Sequence, residues 1–161
     1  MLRRSTGREA SMSNMIWVVV ANRVTARIFA TESPLGAIEE IETLLHPESR
    51  VPEQSLVSDR SGRTERSAAG RQQSDPDTQH HERETSLFAS QVATTLAKAR
   101  NDGRYGTLVL AAPPAFLGAL RKALDAQTRS LVTLELDKDL ALLDARTLRT
   151  HFPERLVRAQ A

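Results

Sequence analysis

The spacing of apolar residues changes along this chain, and each change marks an element. Ile16-Trp-Val-Val-Val20 is an unbroken, mostly β-branched run, which predicts a buried strand. Asn22-Arg23 interrupts it. In Val24-Thr-Ala-Arg-Ile-Phe-Ala30, the residues Val24, Ala26, Ile28 and Ala30 then alternate with Thr25, Arg27 and Phe29. Together these segments predict a tight β-hairpin with one face of the second strand more buried. Ser33-Pro34-Leu-Gly36 turns the chain again. Between Ala37 and Leu45 two periods compete: Ile38, Ile41 and Leu45 have helical spacing, whereas Ile41, Thr43 and Leu45 alternate. A third strand is the favoured expectation.

From His46 to Glu84 apolar side chains almost vanish. A connection longer than about 12 to 15 residues is uncommon inside a domain unless it is functional or disordered. Beyond it the helical period takes over. Asp77 is placed to cap a helix whose buried stripe is Phe88-Val92-Leu96. Lys98 and Arg100 complement the C-terminal dipole, and Asn101-Asp-Gly103 ends the helix. Thr107–Ala112 reads as a strand stopped by Pro113-Pro114. The next helix turns Phe116, Leu117, Leu120 and Leu124 inward, with Gly118 expected to permit close packing. Leu131–Leu136 is a strand, and a last helix starting near Asp139 carries Leu142, Leu143 and Leu148. The order predicts a single α/β domain: a mixed sheet built from an N-terminal hairpin or meander followed by α-β-α-β-α, with a long polar internal loop. Its expected limits are a disordered extension over 1–14, the domain over 15–152 with the loop at 46–77, and a tail over 153–161. Met12 and Met15 are alternative starts.

Composition sharpens this reading in three ways. Of 22 basic residues only Lys98, Lys122 and Lys138 are lysine, which leaves 19 arginines spread along the chain, with a net charge of +2. Arginine's planar fork suits phosphate and carboxylate partners. Cysteine is absent, which excludes disulfides and thiolate chemistry. The seven apolar residues from Met15 to Ala21 are too few for a signal-peptide core or a membrane span, so a soluble, cytoplasmic protein is expected.

Four stretches in order carry a family pattern: Trp17–Arg23 with Ala26–Phe29, Ser58–Arg63, Leu108–Arg121 and Lys138–Leu140. With this pattern the chain resembles the bacterial host attachment proteins, a family similar in turn to the middle domain of archaeal and eukaryotic peptide-chain release factors. The resemblance spans about Met15 to Phe152. It implies an α/β domain, a role in attachment to host cells and, through the release factors, a visit to the ribosome. Release factors hydrolyse peptidyl-tRNA with a Gly-Gly-Gln tip. Here the polar loop offers Ala69-Gly70-Arg71-Gln72, followed by Gln73, and lacks the paired glycines.

The loop is therefore the first candidate site. Arg60, Arg63, Arg66 and Arg71 are placed to grip phosphates, while Gly70, Gln72 and Gln73 would lie near a loop tip. With no aromatic from Ser58 to Glu84, stacking on bases is not expected there. Asp75, Asp77, Glu82 and Glu84 follow closely, so a solvated loop of balanced charge is the bland alternative. His80-His81 among those carboxylates does not make a metal site, since adjacent helical residues point about 100° apart. An EF-hand starting at Asp75 has His80 where glycine is required and Ser86 where glutamate is required. Ala111–Phe116 reads as architectural, because two prolines strip N–H donors from any phosphate cradle. No Gly-x-Ser-x-Gly elbow is present, and Glu39-Glu40 and Asp137 with Asp139 read as solvent-facing. The expectation is a non-enzymatic module with no cofactor, no metal and no catalytic residue. It would bind ribosomal or transfer RNA through the arginine loop. Two alternatives stand beside it: an interaction protein working with host-attachment machinery, and a peptidyl-tRNA hydrolase-like enzyme using a loop glutamine.

Overall fold

The computed structural model describes residues 14–46 and 75–157. Strand β1 (Ile16–Ala21) and β2 (Thr25–Thr31) form the expected antiparallel hairpin. Asn22 makes the turn by accepting the backbone N–H groups of Val24 and Thr25 on its Oδ1, at 2.8 and 3.0 Å. This is the local side-chain capture for which asparagine is favoured in turns. The ambiguous third segment is strand β3 (Glu39–Leu45), antiparallel to β2 with a register shift between Ile28 and Phe29. Its alternating face is not a core face, since Ile41 and Leu45 are 41% and 53% exposed.

Helix α1 (Asp75–Asn101) begins two residues before the cap expected at Asp77 and ends at Gly103, whose φ of 71° only glycine adopts without strain. Strand β4 (Thr107–Ala111) pairs parallel to β1, and helix α2 (Pro114–Ala123) follows. A short helix that the apolar pattern did not announce, α3 (Ala126–Arg129), is held by Asp125, whose carboxylate accepts from the Thr128 N–H. Strand β5 (Val132–Leu136) pairs parallel to β4, and helix α4 (Ala145–Thr150) closes the order. The sheet runs β3-β2-β1-β4-β5, mixed as expected.

The last helix corrects the sequence expectation. It starts at Asp144, which accepts from Thr147 N–H. Asp139 is otherwise occupied: its Oδ1 accepts from Asn22 Nδ2 and from the Ala141 N–H, which shapes a turn. Leu142, expected in a helix, is 91% exposed at that turn, while Leu148 is fully buried.

Because β1 and β4 are central, both of their faces are covered. Trp17, Val19, Ile28, Leu108 and Leu110 meet α1 and α2 through Phe88, Val92, Leu96, Phe116 and Leu120. The predicted stripe is therefore real, and each such side chain contributes about 1.5–3 kcal/mol by leaving water. The other face packs Val18, Phe29 and Val109 against Leu140, Leu148, Phe152 and Leu156. Leu156 is 1% exposed and its N–H donates to Pro34 O, so residues 153–157, read from sequence as tail, pack onto the fold.

Candidate functional site

Twenty-seven helical residues give α1 a length of about 40 Å, whereas strands of five to seven residues span roughly 17–24 Å. The helix therefore overhangs the sheet, and residues 78–83 are exposed all round. The segment 47–74 leaves from the end of β3 and returns into α1. His46 fixes the departure point. Its ring is 6% exposed, lies stacked on Phe88 at 4.9 Å and sits 2.8 Å from Glu84 Oε1 through Nε2. Its N–H donates to Val24 O at 2.9 Å. One residue thus ties β3 to α1 and to the β1–β2 turn.

Beside this clamp a groove of about 810 Å³ runs between the first half of α1 and α2. From α1 come the hydroxyls of Thr78, Thr85, Ser86 and Ser90, together with His81 and Glu82. Helix α2 supplies Lys122 and a floor of small residues, Ala115, Gly118 and Ala119. Arg23, on the β1–β2 turn, closes one side. That turn and the β4–α2 junction lie at the carboxyl ends of the parallel strands, where α/β sheets place ligand crevices. Gly118 has a different role from the expected one. A Cβ added there would meet nothing within 4 Å, so the glycine opens the groove and does not admit a packed neighbour.

The family described as "Protein required for attachment to host cells" matches residues 17–152. The chain belongs to that family. No curated protein matches this host-attachment chain. Among solved structures it is similar to an archaeal translation termination factor, aRF1, at 13% identity and a TM-score of 0.42, over 76% of this chain and 30% of that one. It is also similar to an archaeal protein at 12% identity and a TM-score of 0.46, over 92% of this chain and 37% of that one. The host-attachment chain thus spans about a third of the length of either, and likeness at this level assigns it no activity.

In this family member most described arginines that show contacts serve the fold. Arg27 forks onto both oxygens of Glu40 (2.9 and 3.2 Å), donates to Ala141 O and Leu143 O, and lies 5.0 Å over the Phe29 ring. The Arg27 guanidinium, helped by the Thr43 hydroxyl, holds the Glu40 carboxyl below its ordinary range. Glu40 is exposed, as read from sequence, and it also holds Arg27, the residue that pins the β5–α4 turn to the sheet. Arg149 donates to four carbonyls, those of Pro34, Gly36, Pro153 and Glu154. Arg129 closes the end of α2 through Arg121 O and Leu124 O. Asp125, bonded to Thr128, is held acidic, as is Asp144 by Thr147.

Arg60, Arg63, Arg66, Arg71, Gly70, Gln72 and Gln73 lie outside the described residues. His80 and His81 have their ring centroids 6.0 Å apart, and Glu84 is paired with His46. Among the described residues no group of three or more His, Cys, Asp or Glu is placed to hold a metal ion, and no helix is long and apolar enough to cross a membrane. The sequence reading missed the groove and the His46 clamp. A faint signal existed for the groove, in hydroxyl residues at 78, 85, 86 and 90 and small ones at 115, 118 and 119, spacings that share a helical face.

Proposed function

We propose that this host-attachment family member is a non-enzymatic RNA-binding module of the cytoplasm, whose ligand is ribosomal or transfer RNA. One observation carries the reading. The segment 47–74, bearing Arg60, Arg63, Arg66 and Arg71, is rooted at the His46 clamp beside a groove that adds Arg23 and Lys122. Four arginines in that segment, with Arg23 and Lys122 in the groove, are cations of the kind that suit a polyanion, whose affinity for them comes largely from counterion release. In the described residues, by contrast, carboxylates such as Glu40, Glu84, Asp125 and Glu135 are engaged in ion pairs and caps, which is architectural work.

The test is co-sedimentation of the purified full chain with ribosomes at low and high salt. It is then repeated with the four segment arginines changed to alanine. Salt-sensitive pelleting that the quadruple variant loses supports the reading, and absence of pelleting at every salt concentration refutes it. Family membership favours a second reading, an interaction protein supporting attachment of bacteria to host cells. Deleting the gene and complementing with the quadruple variant separates the two. Attachment restored by a variant that no longer binds ribosomes would assign the attachment role to another surface.

A further inference from the structure

The groove between α1 and α2 combines hydroxyl-bearing, cationic and very small residues. Four hydroxyl-bearing residues of one helix line it together with Arg23 and Lys122, and Glu82 is the one carboxylate among its lining residues. Its volume of about 810 Å³ falls within the range of small-ligand clefts. The floor is made of side chains no larger than a methyl group at Ala115, Gly118 and Ala119, so a ligand can approach the α2 backbone closely. No Phe, Tyr or Trp lines it, and the imidazole of His81 is its one ring on which a base could stack. Such a lining suits a chain of anions separated by hydroxyl-bearing units better than a stack of planar rings.

We propose that this groove seats the sugar–phosphate backbone of single-stranded RNA, with Arg23 and Lys122 serving its phosphates and the α1 hydroxyls its 2′-hydroxyls. The proposal rests on the RNA-binding reading above and adds to it a second contact surface, with a preference for ribose over deoxyribose. A 2′-hydroxyl both donates and accepts, as do threonine and serine hydroxyls, and it is the group by which proteins tell RNA from DNA. Because these contacts are to phosphate and ribose, recognition depends little on base sequence.

Fluorescence anisotropy of the full chain, with a labelled oligouridylate and its deoxy counterpart, tests this. The ribo-oligomer should bind more tightly, and oligoadenylate should match oligouridylate. Gly118→Leu fills the groove and should weaken binding by about tenfold, whereas Gly118→Ala should not. Lys122→Ala should lower the salt slope by about one. Glu82→Gln removes the carboxylate facing the phosphates and should tighten binding, a direction that mere damage to the fold would not produce. Should Gly118→Leu misfold by circular dichroism, the two surface variants carry the test. Equal affinity for both oligomers, or unchanged binding in the Lys122 and Glu82 variants, overturns the groove proposal. If the wild-type chain binds no RNA at low salt, both readings fall. If only the four-arginine variant loses binding, the groove proposal alone falls.

Discussion

Tyr105 is the only tyrosine in the chain and Trp17 the only tryptophan, and they stack at 4.7 Å between ring centroids. The phenol is 3% exposed and donates to Leu96 O of α1 at 2.6 Å. Burial, resisted by the positive charge of Arg100, pushes its pKa up to about 12 from an ordinary 10.0. In the unfolded chain the phenol ionises first. Below that ordinary value both states are neutral and the folded protein has its full stability, which then drains away as pH rises towards about 12. A shift of about two units at 1.36 kcal/mol each amounts to about 2–3 kcal/mol. Tyr105→Phe should cost about 1 kcal/mol at neutral pH, because Leu96 O keeps its helical N–H partner, and should flatten this alkaline loss. Urea unfolding followed through Trp17 fluorescence, in wild type and variant across the alkaline range, measures both effects. The reasoning fails if the two proteins lose stability in parallel, or if tyrosinate absorbance of the folded chain appears at the ordinary phenol pKa.

Other substitutions probe the clamp, the groove and the fork. His46→Ala leaves Glu84 without its partner and Phe88 without its stacked ring, and should lower unfolding free energy by about 2 kcal/mol in chemical denaturation. Gly118→Ala, at a helical site with open space around it, should raise stability by about 0.5–1 kcal/mol and so raise the thermal midpoint. With Glu40 held below its ordinary range, the stability it adds is present at neutral pH and lost as pH falls through its folded-state pKa. Glu40→Gln should therefore show a shallower acid loss than wild type in urea titrations run from neutral to acid. Leu148→Ala should cost about 2–5 kcal/mol, while Leu142→Asp should be nearly neutral, a contrast read by thermal unfolding.

The central sheet and its long helix were legible because local and global demands agree there. Ile16–Val20 needs both faces covered and receives α1 on one side and α4 on the other. Phe88, Val92 and Leu96 need one buried stripe, and the sheet supplies it. Where two residues of one type compete for a role, the pattern runs out. Asp139 and Asp144 are equally good caps in sequence; in the fold Asp139 accepts from Asn22, 117 positions away, and from the Ala141 N–H, while Asp144 caps the helix. Gly118 was misread for a related reason, since whether a glycine faces a neighbour or open space depends on the element across from it. The candidate arginines could be named from composition, but their surroundings could not. His46 and Glu84 are 38 positions apart and neither belongs to a motif, so their pairing is visible only in three dimensions. The packing of Leu156 was not legible because it is a single apolar residue among polar ones, too little to form a period.

The His46 clamp bears on how this family can change over time. The joint between β3 and α1 is made by His46, Glu84 and Phe88, which flank the polar segment. Lengthening a loop whose two ends are already held together is cheap, about 0.6 kcal/mol for each doubling. Insertions, deletions and wholesale replacement between 47 and 74 should therefore be absorbed with little loss of folding free energy. The fold can act as a standing base on which selection exchanges that segment, and length variation among relatives should stop abruptly at the two clamped positions.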